Sequence, residues 1–307
     1  MITIDVADRV PLSRWRIWAR AARPRTLPAA LTPVITGTAV AFHESGGGGI
    51  HWPSAVLALV TALLLQIAAN FANDALDFRR GADTVERLGP VRITASGLTS
   101  SATMLRATAL ALLLATASGL PLAIRGGWPM FLIGAAAIIC AVAYTGGPFP
   151  LGYLGLGEVF VFIFFGLAGV AGTAYVQTRD LTGLALAASV PIGALAAGIL
   201  VVNNLRDLRT DAQAGKRTVA VRLGDRRTRL EYKALLLIAI VTPPILWSAG
   251  WLGWWWLITL VWVPVAGRLW SDITTRSGKQ LNATLGDTGK GLLLYGVLLS
   301  CALVLSG

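Results

Sequence analysis

The chain is 307 residues long, 55% of them hydrophobic and only 13% charged, with a formal net charge of +11. A soluble domain of this length needs a charged surface, and there are too few charges here to supply one. The excess of positive charge therefore reads as the bias of cytoplasmic membrane loops, not as a nucleic-acid surface.

The apolar residues fall into nine blocks, at about 27–42, 54–74, 104–124, 129–145, 157–177, 183–205, 233–250, 252–270 and 290–306. Most approach the ~20 residues that a hydrocarbon core about 30 Å thick demands of a helix. The expected fold is all-α: a polytopic membrane helical bundle of about nine transmembrane helices. A basic cytoplasmic segment (1–25) precedes a single transmembrane domain (26–307). The first block contains Ala39-Val40-Ala41, which is similar to a signal-peptidase site. However, a long basic leader precedes it and Pro28 and Pro33 interrupt it, so it reads as the first membrane helix.

Between the first two blocks, Gly46 to Gly49 form an exterior loop flanked by His43 and His51, which are assigned no chemistry. Cys140 and Cys301 lie far apart in apolar blocks and read as packing residues. Trp251 and Trp254 to Trp256 read as an interfacial belt at an exterior helix end. With nine spans, every Lys and Arg except Arg125 and Arg179 falls on one side, which the positive-inside rule makes the cytoplasm. The N-terminus is then inside and the C-terminus outside.

The acids are the most specific feature. The second block ends in Gln66, Asn70, Asn73, Asp74 and Asp77, followed by Gly81 and Asp83. Gln66, Asn70, Asp74 and Asp77 step by four, four and three, which predicts one polar helical face. Gly81 allows the chain to turn the Asp83 carboxylate back. The sixth block ends in Asn203, Asp207 and Asp211, again at steps of four, followed by Lys216 and Arg217. Polar stripes in a membrane helix are costly unless they face a cavity or partner groups. Two carboxylate faces at one depth, with Arg and Lys among them, describe a site where hard cations bridge to phosphate oxygens. Magnesium suits it, because it binds through a few carboxylates plus substrate phosphates. Read singly, each array is equally well a set of acids paired with neighbouring arginines. Their similarity and matching depth favour the metal–diphosphate site.

These residues carry a resemblance. Asn73-Asp74-x-x-Asp77 and Asp207-x-x-x-Asp211 resemble the two aspartate-rich motifs of the UbiA superfamily of intramembrane prenyltransferases. The spacing from Asn73 to Asp83 is similar to that of its 1,4-dihydroxy-2-naphthoate polyprenyltransferase branch. Arg23 to Pro28, Tyr144 to Pro148, Gly152 to Glu158, Gly172-Thr173 and Asn203 to Thr218 follow the same branch. The resemblance implies a helical bundle whose central cavity is capped by cytoplasmic loops. It implies that Asp74, Asp77, Asp83, Asp207 and Asp211 hold two Mg²⁺ against a polyprenyl diphosphate. Lys216 and Arg217, with Arg79 and Arg80, would contact the diphosphate. Asn70 and Asn73 would orient the acids, and Arg25, Tyr144, Tyr153 and Glu158 would serve the acceptor end.

The implied reaction joins the prenyl group to 1,4-dihydroxy-2-naphthoate, with loss of diphosphate and CO₂, on the cytoplasmic face of a bacterial inner membrane. The same chemistry on another acceptor, such as 4-hydroxybenzoate, is the alternative. A cation-coupled transporter would place its acids near the bilayer midplane and show inverted repeats. The acids here cluster at one face beside basic loops.

Overall fold

The computed structural model describes residues 13–81, 88–90 and 92–307, and among these it is helical with no strand. A short helix, α1 (Arg14–Ala21), and a 3-10 turn at Pro24–Thr26 lead into α2 (Pro28–Glu44). There follow α3 (Trp52–Arg79), α4 (Ser101–Gly126), α5 (Trp128–Ala143), α6 (Gly157–Thr178) and α7 (Gly183–Arg206). The chain continues through α8 (Leu208–Gln213), α9 (Val219–Ser248), a 3-10 stretch at Trp254–Trp262, α10 (Val263–Thr275) and α11 (Leu281–Ser306).

Among the described residues, six helices are long and apolar enough to cross a membrane: α3, α4, α6, α7, α9 and the Gly278–Ser306 stretch that contains α11. The other three expected blocks are helical but fall short of that standard as α2, α5 and the Trp254–Thr275 stretch. Two helices start well before their apolar blocks. α9 starts with a short helical turn at Val219, breaks at Gly224 (φ 76°, ψ 171°) and resumes well before 233, and α11 begins at Leu281 rather than near 290. Their first turns carry charged residues, among them Arg222, Asp225, Asp287 and Lys290, which hydropathy reads as loop.

Among the described residues, four helix starts carry side-chain caps. Ser100, Thr182 and Thr218 each accept from the backbone N–H three residues on. His51 does the same for α3 through Nδ1, which gives a structural role to a histidine whose position in a loop suggested none.

α7 is apolar on nearly every face, and a helix of that kind belongs in the middle of a bundle. It is the most buried of the long helices and packs against α6, α9 and α11. Small residues allow the closest approach: a Cβ on Gly166 of α6 would lie 2.9 Å from Gly193 Cα of α7. Residues Phe162–Ala171 of α6 are wound as a π-helix. Such segments often mark functional sites, and this one forms part of a cavity wall.

Candidate active site

The ends of α3 and α7 meet over a cavity of about 380 Å³. At one end it is lined by Arg23, Asn73, Asp77, Arg92, Asn203, Asp207, Asp211 and Lys216. Away from these the wall is apolar, including Ala58, Ala62, Leu65, Met130, Phe164 and Val176. Lining residues on α3 run from Ala58 to Asp77. At 1.5 Å per residue this is about 28 Å, close to the thickness of a bilayer core. The shape is a charged head on a long greasy shaft.

The two motifs are joined at the head. Lys216 Nζ lies 3.4 Å from Asp77 Oδ1 and 3.7 Å from Asp211 Oδ1. Arg92 Nη2 donates to Asp77 Oδ2 at 2.9 Å, and the Tyr153 hydroxyl donates to Asp77 Oδ1 at 2.9 Å. Burial, reinforced by the Asp77 carboxylate, pushes the Tyr153 phenol above its ordinary pKa, so it remains a neutral donor. Lys216 also sits 4.7 Å from the Tyr153 ring centroid, and Arg80 5.3 Å. At Asp207 the helix breaks and α8 begins. Its carboxylate is gripped by both ends of the Arg206 guanidinium, which also reaches Asn203 Oδ1 and Asn282 Oδ1.

Several expected roles change. Asp74 does not line the cavity. Its carboxylate accepts the backbone N–H groups of Ile93 and Thr94 at 3.1 and 2.9 Å and so pins the returning loop. The polar face toward the cavity is Gln66, Asn70, Asn73 and Asp77. At 100° per residue these four fall within about 60° of arc, and Asp74 lies outside it. Asn70 donates to Ala22 O and to Thr26 Oγ1, so it fastens the leader segment rather than an acid. Asn73 accepts from the Thr145 hydroxyl.

Arg217, Arg79, Arg80, Arg25 and Glu158 are also absent from the lining. Arg217 is exposed, and its backbone N–H reaches Tyr153 O. Arg79 donates to Ser101 Oγ and Arg80 to Gly147 O. Arg25 is exposed, and Arg23 lines the cavity in its place from a left-handed backbone at φ 52°. Glu158 is buried behind the wall, whereas Tyr144 and Tyr153 line it. Gly81 makes the expected turn at φ 67°, but Asp83 lies outside the described residues. Arg92 was legible only as a topology charge, and Arg23 only as the first residue of the Arg23 to Pro28 segment, with Arg25 favoured for the site. Arg206, next to Asp207, carried a local signal.

The donors suit a hard divalent cation. They are oxygens from different helices, and the Lys216 ammonium stands between Asp77 and Asp211. Among the described residues no three His, Cys, Asp or Glu side chains form a metal-binding group. Magnesium requires none, because it completes its shell with water and substrate phosphate.

Comparisons with known proteins agree with this arrangement. The chain is 42% identical over 289 residues to the 1,4-dihydroxy-2-naphthoate octaprenyltransferase of Mycobacterium tuberculosis, covering 93% of this chain and 96% of the relative. The fold matches that of a UbiA homologue from Aeropyrum pernix K1 (TM-score 0.66, 15% identity, 96% of this chain and 99% of that one). It also matches a homologue from Archaeoglobus fulgidus bound to GPP and Mg²⁺ (TM-score 0.59, 17% identity, 93% and 99%). The chain is a multi-pass membrane protein. The model of the UbiA prenyltransferase family matches residues 30–298, and the chain belongs to that family.

Proposed function

We propose that the protein transfers a polyprenyl group from its diphosphate to 1,4-dihydroxy-2-naphthoate, releasing diphosphate and CO₂, with residues 26–307 working as one membrane domain. The observation that carries the reading is the joining of a carboxylate-and-cation head to an apolar shaft about as long as the bilayer is thick. A diphosphate with a long hydrocarbon tail has this shape and polarity. The relatives' activity supplies the acceptor.

Asp77 and Asp211 would hold magnesium, with Asp207 completing the set once Arg206 shares it. The reading assigns two ions, and Asp83 is the expected further ligand. Magnesium, when bound, offsets charge on the leaving diphosphate. The chain's own cations do the same: Lys216 moves from its carboxylates toward the phosphate oxygens, and Arg92 lies beside it. The allylic C–O bond breaks, and the diphosphate leaves with the electron pair. The apolar wall keeps water from the allylic cation. A ring carbon of the electron-rich dihydroxynaphthoate then attacks, and loss of CO₂ restores aromaticity without a strong base. No histidine lines the cavity among the described residues, in keeping with this.

Carboxyl-labelled dihydroxynaphthoate, incubated with the purified protein, Mg²⁺ and a polyprenyl diphosphate, should release one labelled CO₂ per prenylated product. A product that retains its carboxylate would reject the acceptor while leaving the diphosphate site standing.

We infer from the distribution of basic residues that the protein lies in the cytoplasmic membrane of a bacterium with its head-group site inside. Reporter fusions after Arg217 and Lys279 should read cytoplasm, and those at Gly48 and Gly307 exterior. An exterior signal after Arg217 would overturn this orientation.

A further inference from the structure

Asn203 and Asn204 are adjacent on α7 and both line the cavity, yet their amides are held by opposite ends. The Asn203 oxygen accepts from Arg206 Nη2 at 2.9 Å. The Asn204 nitrogen donates to Glu158 Oε1 at 2.7 Å. Glu158 is only 8% exposed and does not itself line the cavity. The NH₂ of Asn204 is therefore turned away from the cavity, and Oδ1 is the polar atom left to face it. A carboxylate only accepts hydrogen bonds, so Glu158 dictates this orientation.

The second Glu158 oxygen has no hydrogen-bond partner among the described residues. A buried carboxylate left half-satisfied costs stability, and its position calls for a reason beyond packing. The surroundings supply one. A Cβ on Gly157 would lie 2.9 Å from the Tyr144 hydroxyl and 2.9 Å from Leu200 Cδ2, so Gly157 brings Tyr144 against the start of α6. Tyr144 and Asn204 thus share a wall with Glu158 behind it.

We propose that Glu158 is a positioning residue that fixes the Asn204 amide so that its oxygen accepts a hydrogen bond from a ring hydroxyl of the acceptor. This rests on the acceptor reading above. An amide oxygen suits this role, because it binds the hydroxyl without removing its proton and leaves the ring electron-rich. It is also a poorer nucleophile than a carboxylate toward an allylic cation. Holding the carboxylate one residue behind the wall supplies its orienting effect without exposing it to that cation.

The test compares kcat/KM for 1,4-dihydroxy-2-naphthoate and for its two monomethyl ethers, with a polyprenyl diphosphate and Mg²⁺. Wild-type protein should prefer the diol over one ether by ~10²-fold or more, because a site built around a hydroxyl rejects analogues lacking it. In Glu158→Gln the new amide can donate to Asn204 and turn it over. The preference should then fall about tenfold or more through a higher KM for the diol, as expected for loss of one hydrogen bond to the substrate. The KM for the prenyl diphosphate should stay within about twofold, because that end of the cavity is untouched. Glu158→Asp, which keeps an acceptor-only group, should recover part of the preference. If Glu158→Gln does not fold, the same ratio is read in Asn204→Ala, where it should also collapse. Equal losses on diol and ether, a raised KM for the diphosphate alone, or a wild type indifferent to both methyl groups would overturn the proposal. Wild-type protein that prenylates no naphthoate would instead remove the acceptor reading on which it rests.

Discussion

Asp77→Asn lowers kcat/KM by about 10³ or more and raises the Mg²⁺ concentration needed for half-maximal activity at least ~10-fold, the expected cost of removing a carboxylate from a metal–diphosphate site. The change keeps the shape of the side chain and one oxygen that can accept from Tyr153 at 2.9 Å, while its NH₂ then faces the Arg92 donor, so some stability is lost with the charge. Asp74→Asn behaves differently. Both Asp74 oxygens accept backbone N–H groups, from Ile93 and Thr94, and an amide would turn an NH₂ toward one of them. Two donors face to face cost about 1–3 kcal/mol when buried, so the 92–98 loop loosens and the yield of folded protein falls. The Mg²⁺ requirement of the surviving Asp74→Asn protein stays within about twofold, since this carboxylate does not face the metal site. Activity assayed across a magnesium titration, beside the melting temperature of each variant, separates the two residues. Near-normal turnover in Asp77→Asn would sink the two-motif site.

The contrast between these neighbouring aspartates shows what was legible beforehand. Composition and block length gave the helical class, because a bilayer leaves few other solutions. The two motifs were legible because ionisable residues in a membrane helix are expensive and seldom decorative. The phase within the first motif was not. Steps of four, four and three put Asp74 on a plausible face, and what excludes it is the loop at 92–98 returning to claim its oxygens. The same limit hid Arg92, which reaches Asp77 from that loop, and Arg23, which lines the cavity from a left-handed backbone. Long-range contacts of this kind leave no periodic trace. Arg25, two residues on, has the same residue type in the same motif and points elsewhere. The early starts of α9 and α11 were hidden for a simpler reason: their charged first turns are helical while hydropathy scores them as loop.

Lys216→Met should separate metal affinity from chemistry. The Lys216 ammonium stands between the Asp77 and Asp211 carboxylates at 3.4 and 3.7 Å, with its side chain largely buried. It therefore competes with any divalent cation for the same two oxygen sets. Methionine keeps most of the apolar stem and removes the charge, and with it the ammonium that sits 4.7 Å from the Tyr153 ring centroid. With one counter-ion fewer the two facing carboxylates repel each other more strongly, and a divalent cation relieves that repulsion. The Mg²⁺ concentration for half-maximal activity should accordingly drop, by about tenfold for a change of about 1.4 kcal/mol. Turnover should move the opposite way. The leaving diphosphate loses a preorganised cation, and removing one such group typically costs ~10²–10³ in kcat. Lys216→Arg keeps the charge but not the compact head, and should fall between the two. The pairing of tighter metal with slower chemistry is the signature of a side chain that serves the carboxylates at rest and the phosphate in reaction. A Mg²⁺ requirement that rises in Lys216→Met, as it does in Asp77→Asn, would mean that the lysine only holds the two motifs together.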